Sequence, residues 1–367
     1  MYLKYSLFVF FVLVGCNRSH EVPELNLDLD NFESQDVGVE IEKIIQLENT
    51  EESIIGDIFK LIFYMDRYYV LDAFYSKSLL VFDANGNYIN KTKHGRGPGE
   101  VIVPFTFSID STREYIMLWD PATRRMSEFD LNLEFISSYT SEVVINHGFE
   151  RFSDGTVLVY SQDLDLSDED DSEVHYYYLK DSLLYKTIKK FLRGDIKLTS
   201  YGLRSPISRH GSQTLLIKPF DFSVYSFEKK EIKPYLKINF GSYALTEDMV
   251  RKNNYSYLEL VNNNSRIVAM DYLNLTNKYL CFSYYQDSAR QFVIHDIEDS
   301  ETYYSQNFFE NGLIPYCKIL CAYKDSFIGI VEPDDVKNFK NWPGTEYFSF
   351  PEPTIGENPY LMHFVLK

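Results

Sequence analysis

The stretch Asp66-Arg67-Tyr68-Tyr69-Val70-Leu71-Asp72 starts at a polar turn and runs directly into an apolar, aromatic strand. The same order recurs five more times along the chain, and the first two intervals are 44 residues each. Four short strands with their turns occupy roughly 40 to 50 residues in one blade of a β-propeller. The recurrence therefore predicts an all-β, six-bladed β-propeller. The later polar landmarks are Asp110, Asp154, Gly211, Asn277 and Asp325.

Composition agrees with an all-β domain and narrows the range of partners. The chain has 367 residues, of which 45% are hydrophobic and 16% aromatic, including 30 Tyr and 28 Phe. Aromatic residues pack well on pleated surfaces, and a chain of this length can bury a large core. The formal net charge of −18 would repel the phosphate backbone of nucleic acids, so a nucleic-acid partner is not expected.

The N-terminal residues have the features of an export signal. Residues 1–15 contain Lys4 and a short apolar run that ends in Leu13-Val14-Gly15-Cys16, which resembles the lipobox of bacterial lipoproteins. The resemblance implies cleavage before Cys16 and acylation of that cysteine, which would anchor the protein to a membrane. The alternative is an ordinary signal peptide followed by an incidental cysteine. Residues 16–37 are polar and acidic, and the pattern predicts a flexible tether there.

The remaining segment, residues 38–367, is predicted to form the propeller itself. The last blade is one strand short, and residues 39–47 offer an apolar strand that could complete it from the other end of the chain. Such pairing would close the ring and protect its strand edges. Between blades four and five, Thr246–Asn262 has a helical period after a capping Thr and is predicted to form a helical insertion.

Two motifs near the first blade carry a family resemblance. Residues 81–89 end a strand and turn through Asn85-Gly86, a signal for a type I′ turn, and residues 94–100 read His-Gly-Arg-Gly-Pro-Gly-Glu. Together with the lipobox, these motifs resemble the six-bladed, NHL-like β-propeller lipoproteins of gut-type Gram-negative bacteria. The resemblance implies a propeller fold, a place in the cell envelope at the outer membrane, facing the periplasm or the exterior, and ligand binding. It implies no particular reaction.

The loops expected on the propeller face where ligands usually bind carry the candidate ligand-binding residues. Arg and His gathered on one rim could hold a carboxylate or sulfate group. Three glycines in residues 94–100 could also turn backbone N–H groups toward an anion. The alternative is that these residues only shape turns. The candidates are His94, Arg96, Asp120, Arg124, Arg125, His147, Arg204, Tyr284 and Trp342.

Metal and cysteine chemistry receive weaker support. Asp163 and Asp165 open an acidic run that could supply oxygen ligands to Ca²⁺, although it lacks an EF-hand pattern and also fits a solvated hairpin tip. No other cofactor is expected. Cys317 and Cys321 would lie roughly 13 Å apart on one strand, too far for a mutual disulfide. Free thiols, or a bridge from Cys281 to one of them, remain open.

The predicted function is non-catalytic. The chain lacks a Gly-x-Ser-x-Gly nucleophile motif, and its seven His residues show no paired spacing. We expect a membrane-anchored binding or scaffold protein that takes a glycan, a peptide or a protein partner, in the context of nutrient capture. The rival hypothesis is a propeller hydrolase or lyase that acts on polysaccharide fragments, with His94 or His147 as its base.

Overall fold

Short strands account for nearly all of the regular structure in the described part of the chain. The computed structural model describes residues 22–30, 39–141, 145, 148–162, 173–180, 183–192, 204–218, 221–228, 231–245, 266–286, 289–304, 318–335 and 357–367. The first two strands are β1 (Glu24–Asn26) and β2 (Val39–Gln46). Both join sheets formed by residues much later in the chain.

Sheets 1 to 3 follow in chain order. Sheet 1 contains β3 (Lys60–Tyr64), β4 (Arg67–Asp72), β5 (Ser78–Asp83) and β6 (Tyr88–Lys91). A two-stranded parallel link, β7 (Lys93–His94) with β8 (Glu100–Val101), leads to the next sheet. Sheet 2 contains β9 (Thr106–Asp110), β10 (Tyr115–Asp120), β11 (Arg125–Asp130) and β12 (Phe135–Thr140). Sheet 3 contains β13 (Gly148–Arg151), β14 (Thr156–Gln162), β15 (Glu173–Lys180) and β16 (Leu183–Leu192).

The remaining sheets recruit the two N-terminal strands. Sheet 4 contains β17 (Ile207–His210), β18 (Gln213–Lys218), β19 (Asp221–Glu228) and β20 (Glu231–Asn239), with β1 added at its outer edge. Sheet 5 contains β21 (Met270–Leu275), β22 (Tyr279–Gln286), β23 (Ala289–Asp296) and β24 (Thr302–Tyr304). Sheet 6 contains β25 (Lys318–Tyr323), β26 (Ser326–Val331) and β27 (Tyr360–Leu366), with β2 as its outer strand. Two 3₁₀ turns cover Gly241–Tyr243 and Pro333–Asp335.

The sheets are arranged as a β-propeller around a central channel. The first strands of successive sheets contact one another in the order β9, β13, β17, β21, β25 and β3. Lys60 of β3 donates a hydrogen bond to the Phe107 carbonyl of β9 and completes the circle. The hydrophobic clusters lie between neighbouring sheets, as where Leu80 of sheet 1 packs with Ile328 of sheet 6. The predicted all-β propeller class is confirmed.

Sheets 1, 2, 3, 5 and 6 each have the predicted four strands, whereas sheet 4 has a fifth strand. Its extra strand is β1, which runs parallel to β20 with Leu25 opposite Ile238. The prediction of a flexible tether was therefore wrong for residues 22–30. Leu25, Leu27 and Leu29 alternate with polar residues and are buried against sheets 4 and 5. This period of two is a strand signal.

The predicted pairing between the N-terminal strand and the last blade is present. β2 runs antiparallel to β27, with Val39 opposite Leu366 and Gln46 opposite Tyr360. Ile45 and Leu47 are buried in the cluster shared with sheet 1. An N-terminal strand and the last strand of the chain are thus held in one sheet, and β2 covers the edge of β27.

Aspartates at strand ends fix many of the hairpin turns. Asp83 accepts hydrogen bonds from the backbone N–H groups of Asn85 and Asn87 at 2.8 and 2.9 Å, and Asp130 does the same for Asn132 and Glu134. Such bonds favour turns by satisfying backbone donors locally. Gly86 has a φ of +86°, whereas Asn85 does not have a positive φ, so the predicted type I′ turn was wrong.

Two further expectations concern the helical insertion and the cysteines. The helical insertion predicted for Thr246–Asn262 lies outside the described residues. Cys281 and Cys321 are buried free thiols, which excludes a bridge between them, while Cys317 lies outside the described residues. No helix in the described part of the chain is long and apolar enough to cross a membrane.

A buried Tyr–His pair joins sheet 1 to sheet 6. The Tyr68 hydroxyl lies 2.7 Å from Nε2 of His363, and both side chains are buried. Phe63 packs edge-on against the His363 ring, with 5.2 Å between ring centroids. Burial, with a smaller contribution from Lys43, lowers the pKa of His363 to about 4. The imidazole is therefore held neutral in the folded protein.

We predict that His363 makes the fold acid-sensitive. Below pH 6.5, the His363 imidazole of the unfolded chain becomes protonated, whereas that of the folded chain stays neutral until about pH 4. Stability is therefore lost as the pH falls through this window, by about 3 kcal/mol at its lower end. His363→Asn should remove this component when urea unfolding is measured at several pH values.

The matched control is His210→Asn, which changes a partly exposed histidine on sheet 4. It should leave the slope of stability against pH unchanged between pH 4 and 6.5. An identical slope in wild type and His363→Asn would contradict the prediction.

Candidate functional site

One face of the propeller carries the connections between sheets, and its centre forms the channel mouth. Its described side chains come from the connections that precede β3 and β17, the turn between β4 and β5, the start of β21 and the adjoining ends of β22 and β23. We call these residues the mouth cluster: Asp57, Phe59, Phe74, Tyr75, Arg204, Asp271, Tyr272, Tyr285 and Arg290.

Arg204 spans the mouth. It precedes β17 in sheet 4, yet its Nη2 lies 3.1 Å from Oδ2 of Asp57, which precedes β3 on the opposite side of the ring. Its Nη1 donates a hydrogen bond of 2.9 Å to the Tyr272 hydroxyl, and its guanidinium lies 5.0 Å from the centre of the Phe59 ring. The side chain thereby ties three sheets together across the channel.

A second arginine is held beside the first. Nη1 of Arg290 lies 3.1 Å from Oδ2 of Asp271 and 3.0 Å from the Ser283 hydroxyl oxygen. Its guanidinium lies between two tyrosine rings, 4.4 Å from the centre of Tyr272 and 4.5 Å from that of Tyr285. Such stacking favours a planar guanidinium and holds it in one orientation.

Asp271 connects the two arginines. It accepts hydrogen bonds from the backbone N–H groups of Arg204 and Tyr272 as well as from Arg290. Burial raises the pKa of Asp271 above its ordinary value, although Arg290 acts in the opposite direction. Burial likewise raises the pKa of Tyr272. Each charge at the mouth therefore has an opposite partner within the cluster.

Aromatic rings form the rest of the mouth. Phe59 packs against Phe74 and Phe105, with ring centroids 5.5 and 5.2 Å apart. Phe74 and Tyr75 remain 54% and 72% exposed. Tyr75 lies directly against Gly56, where an added Cβ would come within 2.2 Å of the ring. The absence of a side chain at Gly56 therefore permits the position of Tyr75.

The His94–Glu100 loop is a separate feature that supplies its own anion. Oε2 of Glu100 accepts a hydrogen bond of 2.7 Å from the Gly97 N–H. Nη1 of Arg125 donates to the Gly97 carbonyl at 2.9 Å, which braces the loop. His94 and Arg96 are exposed on the same loop. The carboxylate of Glu100 thus takes the place that the sequence suggested for an external anion.

Three other predicted site residues occupy positions that serve the fold or lie apart. Asp120 is buried and accepts hydrogen bonds from the N–H groups of Ile102, Val103 and Ala122, so it shapes the local turn. Tyr284 is fully buried, and its ring packs 5.0 Å from that of Phe240. Arg124 is exposed in the β10–β11 turn, and the described contacts include none between Arg124 and Arg204.

The remaining predicted sites fall outside the described residues. They are Cys16, His147, Asp163, Asp165 and Trp342. Among the residues that are described, no group of three or more His, Cys, Asp or Glu side chains is arranged to hold a metal ion.

Comparison with known proteins places the chain in a family. Residues 22–362 match the model of a domain of unknown function, DUF4934. The chain belongs to the DUF4934 family. No curated protein matches it.

Two solved structures from Bacteroides share the fold of this DUF4934 protein. One is a Bacteroides fragilis NCTC 9343 protein named for its inferred export, with a TM-score of 0.73 and 16% identity over 95% of this chain and 100% of that one. The other is a DUF4221 family member from Bacteroides vulgatus ATCC 8482, with a TM-score of 0.54 and 12% identity over 91% of this chain and 99% of that one. At these identities the likeness shows the fold alone.

Sequence reasoning found Arg204 but missed its neighbours. Asp57 and Phe59 lie in the connection just before β3, which begins at Lys60, and no local pattern marks them as site residues. Phe74 and Tyr75 are two aromatic residues in a tight turn after Asp72, and exposed aromatics in a turn were an available signal. Nothing in the sequence indicates that Arg290 would meet Asp271.

We predict that Arg204 stabilises this DUF4934 propeller as well as shaping its mouth. Arg204→Ala removes charge-assisted hydrogen bonds to Asp57 and Tyr272, each of which contributes about 1.5 to 3 kcal/mol. The free energy of unfolding should fall by about 3 kcal/mol or more in urea titrations. The control Arg124→Ala should change it by less than about 0.5 kcal/mol. Equal effects of the two substitutions would show that Arg204 is not a structural tie.

Proposed function

We propose that this protein binds a neutral glycan or a peptide at the mouth cluster and catalyses no reaction on it. The main support for this proposal is that the exposed rings of Phe74 and Tyr75 lie beside arginine and aspartate side chains that are already held in place by ion pairs. Propellers commonly bind ligands near the channel, and we place the ligand of this protein there by analogy.

The exposed rings suit an extended ligand. Aromatic side chains provide large contact areas with little loss of conformational entropy, and they stack on the C–H faces of sugars or on peptide side chains. Phe74 is backed by Phe59, and Tyr75 rests on Gly56. Both rings are therefore supported from beneath, which reduces the cost of ordering them on binding.

The polar groups favour a neutral ligand over a strong anion. Arg204 is paired with Asp57, and Arg290 is paired with Asp271. A carboxylate or sulfate would have to compete with these aspartates for the guanidinium groups. Sugar hydroxyls and peptide amides can instead donate and accept at the edges of an intact pair.

We further propose that the protein works in the cell envelope, held by a lipid on Cys16. The lipobox-like Leu13-Val14-Gly15-Cys16 and the likeness to a protein named for its inferred export support this location. Only residues 17–21 separate Cys16 from Val22, a reach of about 20 Å at most. Sheet 4, which contains β1, would therefore lie near the membrane. We also propose that this five-stranded sheet is one of six blades.

We predict that the double substitution Phe74→Ala/Tyr75→Ala lowers affinity at least tenfold for ligands found on glycan and peptide arrays. The loss follows from removing the two most exposed rings of the mouth. Affinities of the soluble residues 22–367 are measured by calorimetry, with Ile136→Ala as the control. Ile136 is 55% exposed on β12, away from the mouth, so its loss should leave affinity unchanged.

Two results would overturn the mouth proposal. One is equal affinity of the double variant and wild type, and the other is an absence of binding on both arrays. Release of shortened products from the arrayed oligosaccharides would instead support the rival hydrolase or lyase hypothesis.

We predict that Cys16→Ser moves the protein from the membrane fraction to the soluble fraction. Acyl chains contribute about 0.8 kcal/mol per buried CH₂ group, so their loss removes the anchor. Ser19→Ala, a change three residues further along the same segment, should leave the protein in the membrane fraction. Continued sedimentation of Cys16→Ser with membranes would contradict lipid anchoring.

A further inference from the structure

The central channel contains a cavity that opens on the face opposite the mouth. It has a volume of about 280 Å³ and is lined by the inner strands of the sheets. Its outer rim is formed by residues at the ends of inner strands and in the turns that follow them, namely Tyr64, Ser111, Gly211 and Ala322. On a measure in which one water molecule needs about 10 to 15 Å³, the cavity has room for a small organic molecule.

Toward the mouth, the described part of the channel is narrow. Where the inner strands begin, a separate gap of about 10 Å³ lies between residues that include Phe59, Thr106, Phe149 and Pro206. A gap of this size is about the minimum for one water molecule. Arg204 lies over Phe59 at this end. A ligand in the cavity would therefore enter from the turn face, independently of anything bound at the mouth.

Three charged side chains line the cavity, and their charges do not cancel. They are Lys60, Glu150 and Arg209, which give two positive charges against one negative charge. Arg209 lies 3.6 Å from Oε1 of Glu150, and the Ser108 hydroxyl donates to the other carboxylate oxygen at 3.1 Å. Among the described residues, Lys60 has no carboxylate within ion-pair distance, and its Nζ donates to the Phe107 carbonyl at 2.7 Å.

An uncompensated positive charge in this setting is costly. Burial lowers the pKa of Lys60, and the attraction of Glu150 only partly offsets that effect. Burial also raises the pKa of Glu150 against the pull of Lys60 and Arg209. Buried charges are normally paired, because an ion loses hydration that only an opposite charge or hydrogen bonds can replace. A ligand with one negative charge would balance the site.

We propose that the channel binds a small organic monoanion, with its carboxylate held by Lys60 and Arg209. Its apolar part would lie against Ile62, Ile109, Ile207 and Leu275, which also line the cavity. This site is distinct from the mouth cluster in position, in charge and in the class of ligand. The protein as a whole carries a net charge of −18, so the positive charge in the cavity has the opposite sign to that of the whole chain.

The experiment uses butyrate and benzoate as probes, with butyramide and benzamide as neutral controls of the same shape. Thermal unfolding and calorimetry are recorded at constant ionic strength with each probe up to about 10 mM, a range that detects weak binding of small ligands. We expect at least one acid to raise the melting temperature in a saturable way and its amide to have no effect. Lys60→Met should weaken binding of that acid at least tenfold.

Matched variants separate this site from other effects. Lys93→Met changes an exposed lysine on β7 and should leave acid binding unchanged. Phe74→Ala/Tyr75→Ala should also leave it unchanged, so a failure at the mouth would not affect this result. Crystals soaked in 4-bromobenzoate should show anomalous bromine signal inside the channel, which tests the site even if Lys60→Met does not fold. Lack of saturable stabilisation by both acids, equal affinity in Lys60→Met, or bromine located only outside the channel would overturn the proposal.

Discussion

Closure of the ring by antiparallel pairing of β2 with β27 is the constraint on which the other features depend. A propeller sheet can bury both faces only when it has a neighbour on each side, so an open ring would expose two sheet faces and a strand edge. Pairing Val39–Gln46 with Tyr360–Leu366 joins an N-terminal strand to the last strand of the chain in one sheet. Side chains strengthen this seam. The Asn358 amide donates to the carbonyls of Glu48 and Ser53, while its oxygen accepts from the Ile55 N–H.

Ring closure also creates the mouth cluster. Arg204 and Asp57 are far apart in sequence and belong to sheets on opposite sides of the channel. They can meet only because the sheets are arranged in a circle of fixed diameter. The same circle leaves the interior of the channel lined by charged side chains from three different sheets, those of Lys60, Glu150 and Arg209. One architecture therefore supplies a neutral, aromatic mouth at one end and a positively charged cavity at the other.

The two ends of the channel differ because the connections on the two faces differ. On the turn face, short hairpins close with aspartates that hydrogen-bond to their own turns, as at Asp83 and Asp130. On the mouth face, connections are longer, as between Asn239 and Met270, and the connection before β17 carries Arg204, whose backbone N–H binds Asp271 of β21. Loops of this kind are where binding residues concentrate, since a rigid sheet scaffold holds them in place. β1 reinforces that scaffold by extending sheet 4 and filling the space toward sheet 5 with Leu25, Leu27 and Leu29.

The sequence by itself determined the strand periodicity, the turn positions and the pairing of the chain ends. These follow from local rules, because alternating apolar residues must face a core and Asp or Gly must stand where the backbone turns. Residues 22–30 carried the same period of two, but only the surface offered by β20 made a three-residue strand stable there. The meeting of Arg204 with Asp57, the stacking of Arg290 between Tyr272 and Tyr285, and the unbalanced charge at Lys60 were decided by the tertiary structure alone. Distances between such residues depend on the radius of the closed ring, which no local pattern in the chain encodes.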